Sequence, residues 1–199
     1  MHLGCWRRET LLRIGLFDES LVRNQDDELN LRLNRSGGKI WQSPDIVSWY
    51  HPRSSLSALF RQYFQYGFWK VAVIRKHRLP ASYRHLIPAL FILANMMAVA
   101  LAVGGIFTGS ALLKLAALRV FELDVLYVLV SLVFSFLAAR RDGWLLFPFL
   151  PFVFATYHVA YGLGFLVAYG LGFLCGVLCF SIKARPILSR RSLFTNLTR

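Results

Sequence analysis

The stretch Leu86–Phe107, LIPALFILANMMAVALAVGGIF, decides the fold of this chain. It runs for 22 residues without a charge, and a helix of about 20 apolar residues crosses the roughly 30 Å hydrocarbon core of a bilayer. Two further apolar runs follow at residues 120–139 and 144–182. The chain is therefore predicted to be an integral membrane protein with an all-α membrane region at residues 85–182.

The number of spans depends on the last apolar run. Its 39 residues carry no formal charge when histidine is neutral, which is too long for one span and just enough for two, with a turn around Tyr161–Gly164. Arg140 and Arg141 precede this run and a basic tail at 183–199 follows it, and both features favour the cytoplasmic side. Four spans are expected on this basis, and three are the alternative. The four lie at about 86–107, 120–139, 144–161 and 164–182.

A tandem repeat lies in the last run. Residues 160–166 read AYGLGFL, and residues 168–174 read AYGLGFL again. Its glycines can let helices approach closely, although a local duplication without a special role also explains the pattern. Asn95, Tyr157 and His158 are polar groups inside the predicted spans. They are interpreted first as helix-to-helix hydrogen bonds and second as parts of a functional groove.

Charge divides the chain into regions. Residues 1–85 carry 14 basic and 7 acidic side chains, whereas residues 86–182 carry 4 and 3. The net charge of +13 occurs together with 56% hydrophobic residues, so an anionic membrane face is favoured over nucleic acid as the partner. The three cysteines lack zinc-site spacing and are predicted to be reduced thiols. The first residues also lack the apolar stretch of a signal peptide.

Residues 1–84 read as short α/β pieces. Helices are predicted at Arg7–Ile14 and from a cap at Asn24 to about Asn34, each followed by glycine. Residues 39–42 and 46–50 are rich in β-branched and aromatic side chains and flank a Ser-Pro-Asp turn. They are predicted to form two strands.

A change of period marks the segment at about 54–77. Its apolar side chains recur every three or four residues, as on one face of an amphipathic helix. Such a helix directly before a span can lie in the membrane interface. The alternative is an ordinary helix packed against the two predicted strands.

The densest polar cluster is Arg23-Asn24-Gln25-Asp26-Asp27-Glu28, at the predicted start of the second helix. Acids are favoured at the positive end of a helix macrodipole, so the cluster can be purely structural. It can also present a general base, with neighbouring acids and Arg32 shaping the pKa of that base.

Three motifs, the first of them in two parts, place this cluster in a wider pattern. Gly4-Cys5-Trp6-Arg7-Arg8-Glu9 is followed by Ile14-Gly15-Leu16-Phe17-Asp18-Glu19, then by QDDELNLR at residues 25–32, then by RQYFQYGFWK at residues 61–70. In this order they resemble the C-terminal half of a family 2 glycosyltransferase, the inverting type on a GT-A fold. The resemblance is to membrane-bound bacterial enzymes similar to succinoglycan and other exopolysaccharide transferases.

The resemblance implies a role for each matching residue. Asp26 falls on the catalytic aspartate, which takes the proton of the acceptor hydroxyl as it attacks the anomeric carbon with inversion. Gln25 stands where most members have glutamate. For Tyr66 and Trp69, helix packing is the alternative interpretation. The substrate-binding set implied is Gln25, Asp27, Glu28, Arg32, Arg61, Gln62, Tyr66, Trp69 and Lys70, with Gly4, Arg7 and Arg8 on the acceptor-side loop.

The resemblance also implies what this sequence lacks. The family's nucleotide-binding half and its D-x-D metal ligands have no counterpart here, so no metal or other cofactor is assigned to this chain. Magnesium or manganese is expected only with that other half. The expected fold is therefore a partial GT-A-like α/β domain followed by three or four membrane-spanning helices.

The expected function follows from the same resemblance. It is transfer of a sugar from a nucleotide-sugar donor to a lipid-linked or polysaccharide acceptor, in exopolysaccharide or cell-envelope glycan synthesis. The expected location is the bacterial inner membrane, with residues 1–84 and the basic tail in the cytoplasm. Without the donor-binding half the chain is expected to be inactive alone. The alternatives are a non-catalytic membrane anchor or interaction subunit, and an inactive truncated remnant.

Overall fold

The computed structural model describes residues 4–49, 53–80 and 82–182, with side chains up to residue 174. This part of the chain forms six α-helices and two short 3-10 turns, at Tyr83–His85 and Trp144–Leu146. The predicted basic tail at 183–199 lies outside the described residues. The helices are α1 (Arg8–Ile14), α2 (Gln25–Arg35), α3 (Leu56–His77), α4 (Ile87–Thr108), α5 (Ala111–Asp142) and α6 (Leu150–Ile182).

The predicted α/β character of the first 84 residues is wrong, because no strand occurs in the described part of the chain. Residues 39–42 and 46–49 are irregular, and Trp41 and Trp49 are 81% and 95% exposed. β-branched and aromatic residues favour a strand where it packs against neighbours, and two short strands alone are marginally stable at best. The described residues offer these segments no further strand, so the composition alone does not produce the expected GT-A-like sheet.

Helix α2 begins and ends close to the predicted positions. Asn24 precedes it in the left-handed region, with φ 61°, but its side chain donates to the carbonyl oxygen of Tyr66 at 3.0 Å instead of capping α2. At the other end, Gly37 has φ 80°, and the Gly38 amide donates to the carbonyl oxygen of Leu33. A glycine in this conformation ends a helix without steric cost.

Helix α3 packs along α6, and the two helices run in the same direction. Their contacts advance together along both chains: the rings of Tyr63 and Tyr157 lie 4.2 Å apart, and further on Arg75 lies over the ring of Tyr169 at 5.7 Å. Ser55 caps α3 by accepting a hydrogen bond from the Ala58 amide. The amphipathic stripe predicted at about 54–77 therefore faces α6.

The buried core lies where α3 meets α6 and the start of α4. Its apolar members come from these three helices, with one residue from the loop before α2. They include Leu21, Phe68, Trp69, Val71, Ile74, Ala89, Phe165 and Ala168. Most large apolar side chains of α4 and α5 are exposed instead, as expected of helices that face lipid.

Helices α4 and α5 form an antiparallel hairpin. Gly109 makes the turn with φ 70°, and the Ser110 side chain accepts from the Leu113 amide at the start of α5. Across the hairpin, the Asn95 side chain donates to Asp124 Oδ1 at 3.1 Å. This hydrogen bond matches the helix-to-helix interpretation of Asn95.

Three helices among the described residues are long and apolar enough to cross a membrane: Tyr83–Thr108, Ala111–Asp142 and Leu150–Leu174. By length and composition this is a membrane protein. The turn expected at Tyr161–Gly164 is absent, since α6 continues from residue 150 to residue 182. The glycines there pack against other helices instead of ending one, so the three-span alternative describes the structure and the four-span count does not.

Candidate functional site

The acids that the sequence singled out lie on the first turn of α2, beside α3. Asp26 is partly buried, and the side chain of Asp27 is 50% exposed. Glu28 is fully buried. The three neighbouring carboxylates therefore occupy three different environments.

Asp27 forms an ion pair with Lys70 of α3, with 2.5 Å between Oδ2 and Nζ. The Lys70 side chain is only 6% exposed. A buried ammonium needs a counter-charge because desolvation disfavours its charged form. The pair thus explains why a lysine can lie on the buried face of α3, and it places Lys70 beside the acidic motif.

Glu28 lies at the centre of a wider ion network. Its carboxylate accepts from Arg32 Nε at 2.9 and 3.0 Å, lies 2.7 Å from Lys76 Nζ and 2.9 Å from His77 Nε2. Burial alone would raise the pKa of Glu28, but the hydrogen bonds from Lys76, Arg32 and His77 outweigh burial and lower the pKa below its usual value. Glu28 is therefore held ionised between α2 and the end of α3.

Arg32 connects this network to the loop after α1. Its Nη1 donates to the carbonyl oxygens of Ile14 and Gly15 at 2.6 and 3.0 Å, and its Nη2 donates to that of Leu16 at 2.6 Å. The planar guanidinium can serve the carboxylate and the loop at once because it carries five donors in a fixed geometry. Arg32 therefore fixes the loop that follows α1.

Asp18 belongs to the same ion network. Lys76 Nζ lies 2.6 Å from Asp18 Oδ2 and so bridges Asp18 and Glu28. The hydrogen bond from Lys76, helped by hydrogen bonds within the Asp18–Ser20 turn, lowers the pKa of Asp18 to about 2. Sequence reasoning assigned no site role to Lys76 or His77, although both belong to the basic end of the amphipathic helix.

The other predicted residues of α3 divide into exposed and buried positions. Gln62 Nε2 donates to the Tyr66 hydroxyl at 2.9 Å, and Arg61 is exposed. Trp69 is 6% exposed and belongs to the apolar core. For Trp69 this favours the packing interpretation, whereas Gln62 and Tyr66 form a polar pair on the accessible side of the helix.

The predicted acceptor-side residues lie at the beginning of the described chain. Gly4, Arg7 and Arg8 are exposed. Trp6 and Phe17 pack edge to face, with ring centroids 5.4 Å apart, and so bring the segment before α1 against the loop held by Arg32. The two parts of the first motif are thereby joined in space.

Near the membrane side of the site, two buried polar atoms of the described residues lack a hydrogen-bond partner. They are the Tyr161 hydroxyl of α6 and Nδ1 of His85, just before α4. Neither residue belongs to the segments that carry the resemblance. Sequence reasoning missed both, since no motif marks them.

Two of the three acids of α2, Asp27 and Glu28, are already paired with cationic side chains. The part of the chain that the structure describes contains no group of three or more metal-ligating side chains. Asp27 is paired with Lys70, and Glu28 is surrounded by cationic donors, whereas magnesium and manganese need oxygen ligands that are not already neutralised.

Comparison with known proteins gives two partial matches. The succinoglycan biosynthesis protein ExoA of Rhizobium meliloti is 36% identical over 107 residues, covering 49% of this chain and 32% of ExoA. A dolichyl N-acetyl-α-D-glucosaminyl phosphate 3-β-D-2,3-diacetamido-2,3-dideoxy-β-D-glucuronosyltransferase of Methanococcus voltae is 43% identical over 61 residues, covering 31% of this chain and 19% of that enzyme. These matches confirm the predicted resemblance to a family 2 glycosyltransferase.

Both matches cover only part of the relative's length. The chain spans about a third of the length of ExoA and a fifth of the length of the Methanococcus enzyme. No family model matches the chain, and no solved structure matches it.

Proposed function

We propose that the chain forms the acceptor side of a membrane-bound inverting glycosyltransferase in which Asp26 is the general base. The reaction would move a sugar from a nucleotide donor to a lipid-linked or polysaccharide acceptor, in the synthesis of an exopolysaccharide or cell-envelope glycan. The three ordered motifs and the two partial relatives support this class of reaction.

The observation that carries the proposal is the difference between the three acids of α2. Glu28 is fully buried among cationic groups, and Asp27 is paired with Lys70. Asp26 is partly buried at the first turn of the helix, on a scaffold fixed by its two neighbours. A general base must be held in place near the proton that it removes, and the matching motif assigns this role to Asp26, which its two neighbours hold at the start of α2.

The proposed reaction is a displacement at the anomeric carbon of the donor sugar. The Asp26 carboxylate accepts the proton of an acceptor hydroxyl while that oxygen bonds to the anomeric carbon. The bond from that carbon to the nucleoside diphosphate breaks, and negative charge develops on the departing phosphate. Arg61 is an exposed cation near the start of α3 that this charge would meet, whereas Lys70 is buried against Asp27. No step uses a metal held by this chain.

The proposed location is the bacterial inner membrane. Arg140 and Arg141 lie at the end of α5, and basic residues beside a span favour the cytoplasmic side. The site before α4 would then face the cytoplasm as well, since α4 and α5 form a hairpin that crosses twice. Nucleotide sugars would reach Asp26 from that side.

The test is Asp26→Asn, made in the gene as it occurs, with sugar transfer measured in isolated membranes. We expect transfer to fall by about 10²–10⁴-fold, the usual contribution of a general base, with protein level and membrane association unchanged. Asp45→Asn is the matched control, because Asp45 is exposed in the irregular segment. Near-normal transfer by Asp26→Asn would contradict the assignment.

One observation favours a second candidate, a non-catalytic anchor or interaction subunit. The contacts of Asp27 and Glu28 with α3 also suit a purely structural cluster. In that case Asp26→Asn would leave transfer unchanged, while Glu28→Gln would lower the amount of folded protein and transfer in proportion. The two candidates therefore predict opposite results for Asp26.

A further inference from the structure

A groove of about 590 Å³ lies between α5 and α6, away from the acids of α2. Its walls are mainly apolar, with Val130, Phe134 and Leu137 from α5 and Phe154 from α6. The volume falls within the range of about 300–1,000 Å³ typical of small-molecule sites. A groove of this kind on a membrane-spanning pair of helices is open to lipid.

The two ends of the groove differ in polarity. Arg141, whose side chain is 87% exposed, lies at one end. At the other end the Tyr127 hydroxyl and His158 Nδ1 are 2.9 Å apart and join α5 to α6. The groove thus has a charged mouth with Arg141 and Asp142, an apolar wall and a polar inner end.

The length of the groove matches one leaflet of a bilayer. From Tyr127 to Arg141, α5 rises by about 21 Å at roughly 1.5 Å per residue. Half of a bilayer of about 40–45 Å, headgroups included, is about 20–22 Å. Trp144 follows directly after α5, is 59% exposed, and is of a residue type enriched at the headgroup level. Arg141 therefore lies at the depth of phosphate groups, and Tyr127 near the bilayer centre.

We propose that this groove binds one anionic phospholipid of the bilayer, with the phosphate on Arg141 and an acyl chain along α5. Charge complementarity selects the headgroup, because arginine pairs with phosphate through charge-assisted hydrogen bonds. Basic pockets between membrane helices on the cytoplasmic side bind anionic headgroups in this way. The Arg141–Asp142 contact at 3.9 Å is long for a hydrogen bond and leaves the guanidinium able to donate to a phosphate.

The experiment measures lipid binding and not catalysis, so its outcome is separate from that of the proposed function. The full chain is placed in nanodiscs of phosphatidylcholine with phosphatidylglycerol and released into detergent at about 0.3 M salt, where attraction between charges that are not in direct contact is largely screened. Native mass spectrometry then counts the phosphatidylglycerol that stays bound. We expect one molecule per chain.

Two variants at the mouth of the groove give the comparison. Arg141→Ala is expected to lower retained phosphatidylglycerol by about tenfold or more, the effect of losing a charge-assisted hydrogen bond. Arg140→Ala removes the same charge one residue away, at a position that does not line the groove, and is expected to retain the lipid. Equal loss in both variants, or retention by Arg141→Ala, would overturn the proposal.

A third variant tests the apolar wall without changing charge. Ala138→Trp puts a large side chain into the groove, since Ala138 lines it and is only partly buried. We expect retained phosphatidylglycerol to fall about tenfold or more, because the acyl chain loses its apolar contact area. Polyprenyl phosphate is offered in competition in the same nanodiscs, and its preferred retention over phosphatidylglycerol would show that the groove serves an isoprenoid lipid, contrary to the proposal.

Discussion

Gly162 of α6 lies directly against the main-chain carbonyl of Pro88 at the start of α4, so closely that a Cβ atom on Gly162 would overlap that oxygen. Gly170 occupies the same position in the second copy of the AYGLGFL repeat, and an added Cβ there would meet nothing within 4 Å. The two copies are identical in sequence and differ in packing. Close approach through glycine therefore explains the first copy but not Gly170.

Because of this difference, Gly170 serves as a control for a substitution at Gly162. We expect Gly162→Ala to lower the free energy of unfolding by about 1–3 kcal/mol, because the methyl group must push α4 away from α6. Gly170→Ala should be neutral or stabilising by up to about 1 kcal/mol, since alanine is the better helix former. Thermal unfolding followed by circular dichroism in one detergent compares the variants, and equal midpoints would contradict the packing described here.

The sequence predicts the helices well, because their evidence is local. The amphipathic stripe of α3 and the uncharged run of α4 are visible as periods and lengths in consecutive residues. The site network is not local: Asp18 and Lys76 are 58 residues apart in sequence. The residues around either of them do not predict that the two side chains form an ion pair. The acids of α2 could be found from their density, but their three different environments could not.

The incorrect predictions have physical reasons of the same kind. Residues 39–42 have a strand-like composition, yet a strand also needs a neighbour, and composition says nothing of its presence. The run at 144–182 is long enough for two spans, yet its residues 150–182 form one helix. The glycines near Tyr161 pack against other helices and do not end α6. In both cases the deciding contacts lie far away in the sequence.

Acid stability gives the second prediction. The pKa of Asp18 falls from 3.8 to about 2 on folding, so its ion pair with Lys76 stabilises the folded state above pH 3.8 and loses this effect as the pH falls towards 2. We expect this to contribute about 1–2 kcal/mol, discounted for the partial exposure of both side chains. Asp18→Asn should therefore be less stable at neutral pH and show a flatter loss between about pH 4 and pH 2. Unfolding midpoints measured across this range check the slope, with exposed Glu19→Gln as the control.

The buried carboxylate of Glu28 gives the third prediction. Glu28→Gln removes the buried counter-charge that Lys76 and Arg32 share. Because Lys76 is partly exposed and keeps its pair with Asp18, we expect the free energy of unfolding to fall by about 1–3 kcal/mol. We also expect faster amide hydrogen exchange at residues 15–17, because Arg32 loses the anchor from which it holds that loop. Mass spectrometry of the exchanged protein measures the effect. Unchanged exchange in this loop would contradict the positioning role given to Arg32.

The hydrogen bond between Asn95 and Asp124 gives the last prediction. It joins α4 to α5 at 3.1 Å, within helices long and apolar enough to cross a membrane. In such surroundings, hydrogen bonds between helices contribute about 0.6–2 kcal/mol, a modest amount because the groups also find partners when the helices are separated. We expect Asn95→Leu and Asp124→Leu each to lower stability, and the double variant to lose less than the sum of the two by about that amount. A double-mutant cycle of unfolding midpoints in detergent measures this coupling. Strict additivity would mean that the hydrogen bond does not hold the hairpin together, and that α4 and α5 associate through other contacts, such as those of Gly105 with Lys114 and of Phe91 with Tyr127.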